Sequence, residues 1–198
     1  ANYMNKIAEV FERRRMEIVE AIQAEGGGSF AKGMYETSQV PIIFRAAAGA
    51  NYSPIGEVLP SEHGKFSMAV RYPLGVVSIV SPWNFPAILT SRSLAFIVAL
   101  GNTVVLKPSE ETPYCGGLLF AEIFEEAGIP PGVLNVVTCS RGNVQEVGDE
   151  IIENPSVKAI AFTGSTAVGR SIAAKAGAHL KKCCMELGGK DPLIVCED

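Results

Sequence analysis

The chain has 198 residues, 47% of them hydrophobic, and a net charge of −4, enough to bury one sizeable core and too apolar for wholesale disorder. Its cations are scattered apart from Arg13-Arg14-Arg15, which excludes the basic stripe of a nucleic-acid surface, and no apolar run approaches the length of a membrane span. Five cysteines without C-x-x-C or paired spacing read as reduced thiols of a cytoplasmic protein, and the opening ANYMNKIAEVFERRR has no signal-peptide core.

In chain order, residues 5–24 predict a helix with Ile7, Phe11, Ile18 and Ile22 on one face, the arginine run on its solvated side and AEGGGS as its stop. Residues 30–50 predict a second helix. The Pro- and Gly-punctuated stretch that follows predicts a protruding hairpin, with strands at 55–59 and 65–72 about a turn at Glu62-His63-Gly64. From Gly75 onward, strands alternate with helices. GVVSIV, NTVVLKP, GVLNVVT, VKAIAFTG, CCMEL and DPLIVC are the strands, and 87–100, 112–127, 143–152 and 165–178 the helices. Repeated βαβ units give an α/β fold, a doubly wound, Rossmann-like parallel sheet whose ligands bind beyond the carboxyl ends of its strands. The predicted organisation is N-terminal helices at 1–54, the hairpin arm at 55–73 and the sheet core at 74–198.

Four strand ends carry polar or aromatic groups: Trp83-Asn84, then Lys107-Pro108-Ser109-Glu110, then Gly164-Ser165-Thr166, and finally Glu186. FTGSTAVG offers a tight glycine turn and a helix N-terminus for an anion, but lacks G-x-G-x-x-G and the Walker lysine, and an ordinary strand-to-helix turn reads the same. Glu110 suits the hydroxyls of a ribose; it and Glu111 equally suit a solvated helix start. SPWNFP is a proline-stiffened loop in which Asn84 can donate to an oxyanion, or else brace its own turn beside an aromatic plug.

The segments SPWNFP, GNTVVLKPSEETP, AGIPPGVLNVV, FTGSTAVG and MELGGKDP, in this order, closely resemble the aldehyde dehydrogenase superfamily over nearly the whole chain. That resemblance implies oxidation of an aldehyde to a carboxylic acid with NAD, through a cysteine thiohemiacetal and thioester. It implies catalytic roles for Asn84 as oxyanion donor and Glu186 as general base. Cofactor contacts are implied at Ser81, Pro82, Trp83, Lys107, Ser109, Glu110, Gly128, Phe162, Thr163, Gly164, Ser165, Val168 and Leu187, with no metal. A carboxylate at Glu110 favours NAD over NADP by repelling the extra phosphate. The hairpin matches the family's oligomerisation arm, so a homo-oligomer is expected.

Two departures qualify the resemblance. The family's nucleophilic cysteine lies on a catalytic domain well downstream of ELGG, so base and nucleophile are expected on different segments, and residues 1–198 alone are expected to be inactive. Cys183 and Cys184 occupy positions that family members fill with core residues, which predicts buried, inert thiols. Ser93, after Arg92, stands where many members carry a lysine assigned to proton relay. The SRS pattern, GDEIIENP and AGAHLKK resemble the benzaldehyde, vanillin and salicylaldehyde dehydrogenase branch, which implies an aromatic aldehyde. The alternative reading is a stand-alone NAD-binding or oligomerising module without catalytic activity.

Overall fold

The computed structural model describes residues 1–197. Its N-terminal third is three helices, α1 (Asn2–Arg13), α2 (Arg15–Gly26) and α3 (Phe30–Ala50). The predicted first helix is broken at Arg14, which leaves helical geometry at φ −88°, ψ 12°. The break lets both halves face one core: Ile7, Phe11, Ile18 and Ile22 are all fully buried, in a cluster with Phe44 and Phe120. The arginine run is therefore not a simple solvated face. Arg14 is mostly covered and pairs with Glu17 and Glu122, both at 2.6 Å, while Arg13 pairs with Glu126. Those carboxylates hold its guanidinium firmly protonated and in turn Glu17 is held below the usual carboxylate range.

The hairpin forms as strands β1 (Gly56–Leu59) and β2 (Ser67–Val70), antiparallel from Gly56 opposite Val70 to Leu59 opposite Ser67. It exposes Ile55, Val58, Phe66 and Met68. Such a two-stranded ribbon has no layer of its own to bury these side chains.

The remaining strands are β3 (Val76–Val80), β4 (Thr103–Lys107), β5 (Leu134–Val136), β6 (Val157–Thr163) and β7 (Lys182–Glu186). They form one sheet in the order β5-β4-β3-β6-β7, and every neighbouring pair is parallel. Helices α4 (Pro86–Ala99) and α5 (Leu119–Glu126) join α1–α3 on one face; α6 (Val144–Glu153) and α7 (Thr166–Ala178) lie on the other. The two-residue strand period divides the side chains between these layers. Ile79 and Ala161 face the larger core, whereas Ile160 and Phe162 face α7 and pack with Ile172 and Ala176.

Three expectations need correction. The helix predicted from 112 opens with a wide, π-type turn at Tyr114–Leu118, whose first amides, of Tyr114 and Cys115, donate to Glu25 of α2 at 2.9 and 2.7 Å. The strand predicted at DPLIVC does not form: residues 188–197 are neither strand nor helix, and Leu193, Ile194 and Val195 are exposed. Its β-rich composition is insufficient where no ladder partner or covering layer stands beside β7 among the described residues. For the same reason Cys183 and Cys184 are exposed on that edge strand rather than buried. No helix among the described residues is long and apolar enough to cross a membrane.

Candidate functional site

The strand order reverses between β3 and β6, and the carboxyl ends of β3, β4, β6 and β7 meet at one edge of the sheet there. The loop after β3 begins with Ser81, whose side chain is spent internally: its hydroxyl accepts from Thr90 at 2.9 Å and its amide donates to the Lys107 carbonyl at 3.2 Å. Pro82 stiffens the loop, and Trp83 and Asn84 are exposed. Trp83 is 57% exposed, so it is no aromatic plug. No hydrogen bond joins the Asn84 carboxamide to its own loop among the described residues, so it is no turn brace, and its donors remain available for a ligand.

Helix α4 fixes this loop from behind. The amides of Ala87 and Ile88 donate to one carboxylate oxygen of Glu36, at 3.0 and 3.2 Å. Glu36 is completely buried, pairs with Lys32, and lies at the positive end of the helix. Lys32 also stands 4.7 Å from the centre of the Phe85 ring.

At the end of β4, Lys107 is buried, donates to the Pro108 carbonyl at 3.1 Å and lies 3.9 Å from Glu110. Ser109 accepts the Glu111 amide at 3.2 Å. At the end of β6, Thr163 leads into Gly164, and Ser165 caps α7 by accepting from the Val168 amide at 3.4 Å. The two glycines of FTGSTAVG answer to packing: a Cβ on Gly164 would lie 2.5 Å from the buried Phe162 ring, and one on Gly169 would lie 2.3 Å from Leu187. Gly164→Ala is expected to displace that ring and destabilise the protein by about 1–3 kcal/mol, read by denaturant unfolding. Glu186 ends β7 beside this turn, its carbonyl accepting the Gly164 amide at 3.0 Å and its carboxylate 4.0 Å from Arg92 of α4.

Two cavities flank the Lys107–Glu110 pair. One, of about 140 Å³, is a slot between α6 and α7, with Val144, Gly148 and Ile152 facing Val168 and Ile172 over Val80, Ile160 and Lys107. Its apolar walls suit a flat ring. The other, of about 410 Å³, is lined by Trp83, Ser109, Glu110 and Arg141 among others. A larger cavity, about 700 Å³, runs along the far side of α6, from Val137 and Asn143 to Val76 and Val157 at the amino ends of their strands. The arrangement can therefore hold a planar base, a diol at Glu110 and an anion at the first amides of α7.

Of the residues expected at the site, Gly128 is the one the fold does not bring to this edge. It follows α5 with φ +76° and precedes β5, so it ends a helix at the opposite, amino end of the sheet. Cys115 and Cys183 are poorly disposed as nucleophiles. Cys115 is buried, and burial together with Glu25 pushes its thiol far up; burial also raises Cys183. Reading the sequence missed Arg141, Glu36 and the α6 wall. Of these, only the wall carried a local signal, the helical spacing of Val144, Gly148 and Ile152.

The profile of the Aldehyde dehydrogenase family matches residues 1–198. The chain is 41% identical over 198 residues to a vanillin dehydrogenase of Amycolatopsis sp. and 41% identical over 199 residues to a benzaldehyde dehydrogenase [NAD(+)] of Pseudomonas putida. Each alignment covers 100% of this chain and 40% of the relative. The structure of a salicylaldehyde dehydrogenase from Pseudomonas putida G7, complexed with salicylaldehyde, superposes with a TM-score of 0.92 at 38% identity, covering 100% of this chain and 41% of that one.

Proposed function

The chain belongs to the aldehyde dehydrogenase family, and from that premise we propose that it supplies the NAD-binding part of an enzyme oxidising an aromatic aldehyde to its acid. The observation that carries this reading is the convergence of Asn84, Lys107, Glu110, Ser165 and Glu186 on one sheet edge from four separate strand ends. NAD, when bound, accepts a hydride from the substrate carbon. The slot between α6 and α7 fits the adenine, Glu110 and Lys107 the adjacent ribose, and the amides capped by Ser165 the diphosphate.

In this reading Asn84 donates its carboxamide N–H to the substrate oxygen as negative charge develops there. Glu186 takes the proton of the thiol or of the water that releases the acid. The nucleophilic thiol is assigned to a segment beyond these residues, since the chain spans 40% of its relatives' length and Cys115 is buried with its thiol pushed up. The exposed apolar hairpin is assigned to contact between copies of the enzyme.

The names of the similar proteins support an aromatic substrate and NAD. The test is steady-state kinetics of the protein that carries this chain, with calorimetric titration of NAD. Saturable NAD binding and a higher kcat/KM for benzaldehyde than for an aliphatic aldehyde are expected. Equal efficiency on both would remove the aromatic assignment, and absence of NAD binding would remove the cofactor assignment.

A further inference from the structure

Asn84 has no anchor of its own. Among the described residues, Pro82, Trp83 and Asn84 make no hydrogen bond; the chain is tied at Ser81, which donates to the Lys107 carbonyl, and again at Phe85, whose carbonyl accepts the Leu89 amide. Phe85 is the N-cap of α4, and its side chain has no acceptor with which to cap. Glu36 does this from α3, at the amides of Ala87 and Ile88, while Pro86 fixes the first helical φ. One planar peptide unit therefore separates Asn84 from the anchored end of α4, and rotation at Phe85 is the slack between them. The Phe85 ring takes up that slack. Lys32 stands 4.7 Å from its centre, within cation–π reach. The ammonium is itself held, because it pairs with one oxygen of Glu36 while the other oxygen caps the helix. Its stem runs past Gly28, where a Cβ would lie 3.1 Å from the Lys32 Cδ. One buried carboxylate thus fixes both the helix behind Asn84 and the cation on the ring beside it.

We propose that Lys32 is a positioning residue for the oxyanion donor: by clamping the Phe85 ring it fixes the backbone from which Asn84 projects. The inference rests on the assignment of Asn84 as that donor. The Lys32 side chain is 24% exposed, and an ammonium partly shielded from water binds an aromatic face more strongly than one in bulk solvent. A preorganised donor stabilises developing charge because it does not have to move as the charge appears. With the ring released, Phe85 rotates and the carboxamide leaves the geometry that the developing oxyanion needs. The loss falls on the transition state and not on the binding of substrate.

The experiment is steady-state kinetics of the intact enzyme, with K32M and K32R placed in the native sequence and in N84A. K32M is expected to lower kcat and kcat/KM together, roughly tenfold, a fraction of what removal of an oxyanion donor costs. KM for the aldehyde and Kd for NAD are expected to stay as they are. K32R keeps a cation for both ring and carboxylate and should recover most of the loss. The deciding comparison is N84A: once the donor is gone, K32M should cost less than about twofold more. The same tenfold loss in both backgrounds would overturn the proposal, since Lys32 would then act through its charge or through a general loosening of the fold. So would native kcat in K32M. F85L removes the ring and leaves the Lys32–Glu36 pair intact, so it reads the clamp even where K32M folds poorly, and its effect should likewise vanish in N84A. If N84A itself keeps native kcat, the donor assignment falls first and the proposal with it.

Discussion

Glu36→Ala is expected to cost about 3–5 kcal/mol of stability, the range for removing one partner of a buried ion pair. Its carboxylate is the acceptor for two amides in the first turn of α4, and both of those groups are buried. Removing it strands two N–H donors at about 1–3 kcal/mol each and leaves a void in α3. Lys32, about a quarter exposed, escapes the full penalty because water reaches it. Glu36→Gln retains an acceptor but loses the charge at the helix N-terminus, so it is expected to cost less than alanine. Urea unfolding of both variants checks the order. A loss below about 1 kcal/mol for alanine would show that these amides find another acceptor. The consequence for function follows from position: the anchored turn begins two residues after Asn84, so a loosened α4 also loosens the donor.

The same anchor explains why part of this fold was legible and part was not. Strand and helix alternation from Gly75 is a local signal, and each of β3, β4, β5, β6 and β7 lies where the β-rich runs place it. Glu36 and Glu25 carry no such signal. They meet amides 51 and 89 residues away, and a glutamate in a helix looks the same whether it caps another helix or faces water. The break at Arg14 is also a tertiary effect, since the partner Glu122 that covers its guanidinium lies on α5. DPLIVC failed in the opposite direction: local propensity was strong, but a strand exists only with a neighbour, and β7 offers none there among the described residues. Within the site, motifs located the strand-end residues because tight turns and caps are short-range devices. Gly128 misled because a glycine serves a helix end and a ligand loop equally well. Arg141 was invisible because its significance lies in its distance to Glu110 across two strands.

Glu186→Gln is expected to lower kcat of the intact enzyme about 10²–10⁴-fold, the usual contribution of a general base, with NAD affinity retained. The argument depends on whether Arg92 locks the carboxylate. The pair is 4.0 Å apart with both side chains about 60% exposed, so it is worth at most about 1 kcal/mol. That is too little to fix the carboxylate in one orientation. Arg92 cannot itself relay the proton, since a guanidinium stays charged throughout the working range. Ser93, in place of a lysine, offers no cation for a relay either. Rapid mixing separates the two tasks open to the base. If Glu186 serves only the release of the acid, the variant should give a burst of about one equivalent of reduced cofactor and then stall. If it activates the thiol, the burst itself should be slowed. Native turnover in Glu186→Gln would remove the residue from the chemistry altogether, leaving its contact with Gly164 through the backbone as its whole contribution to the site.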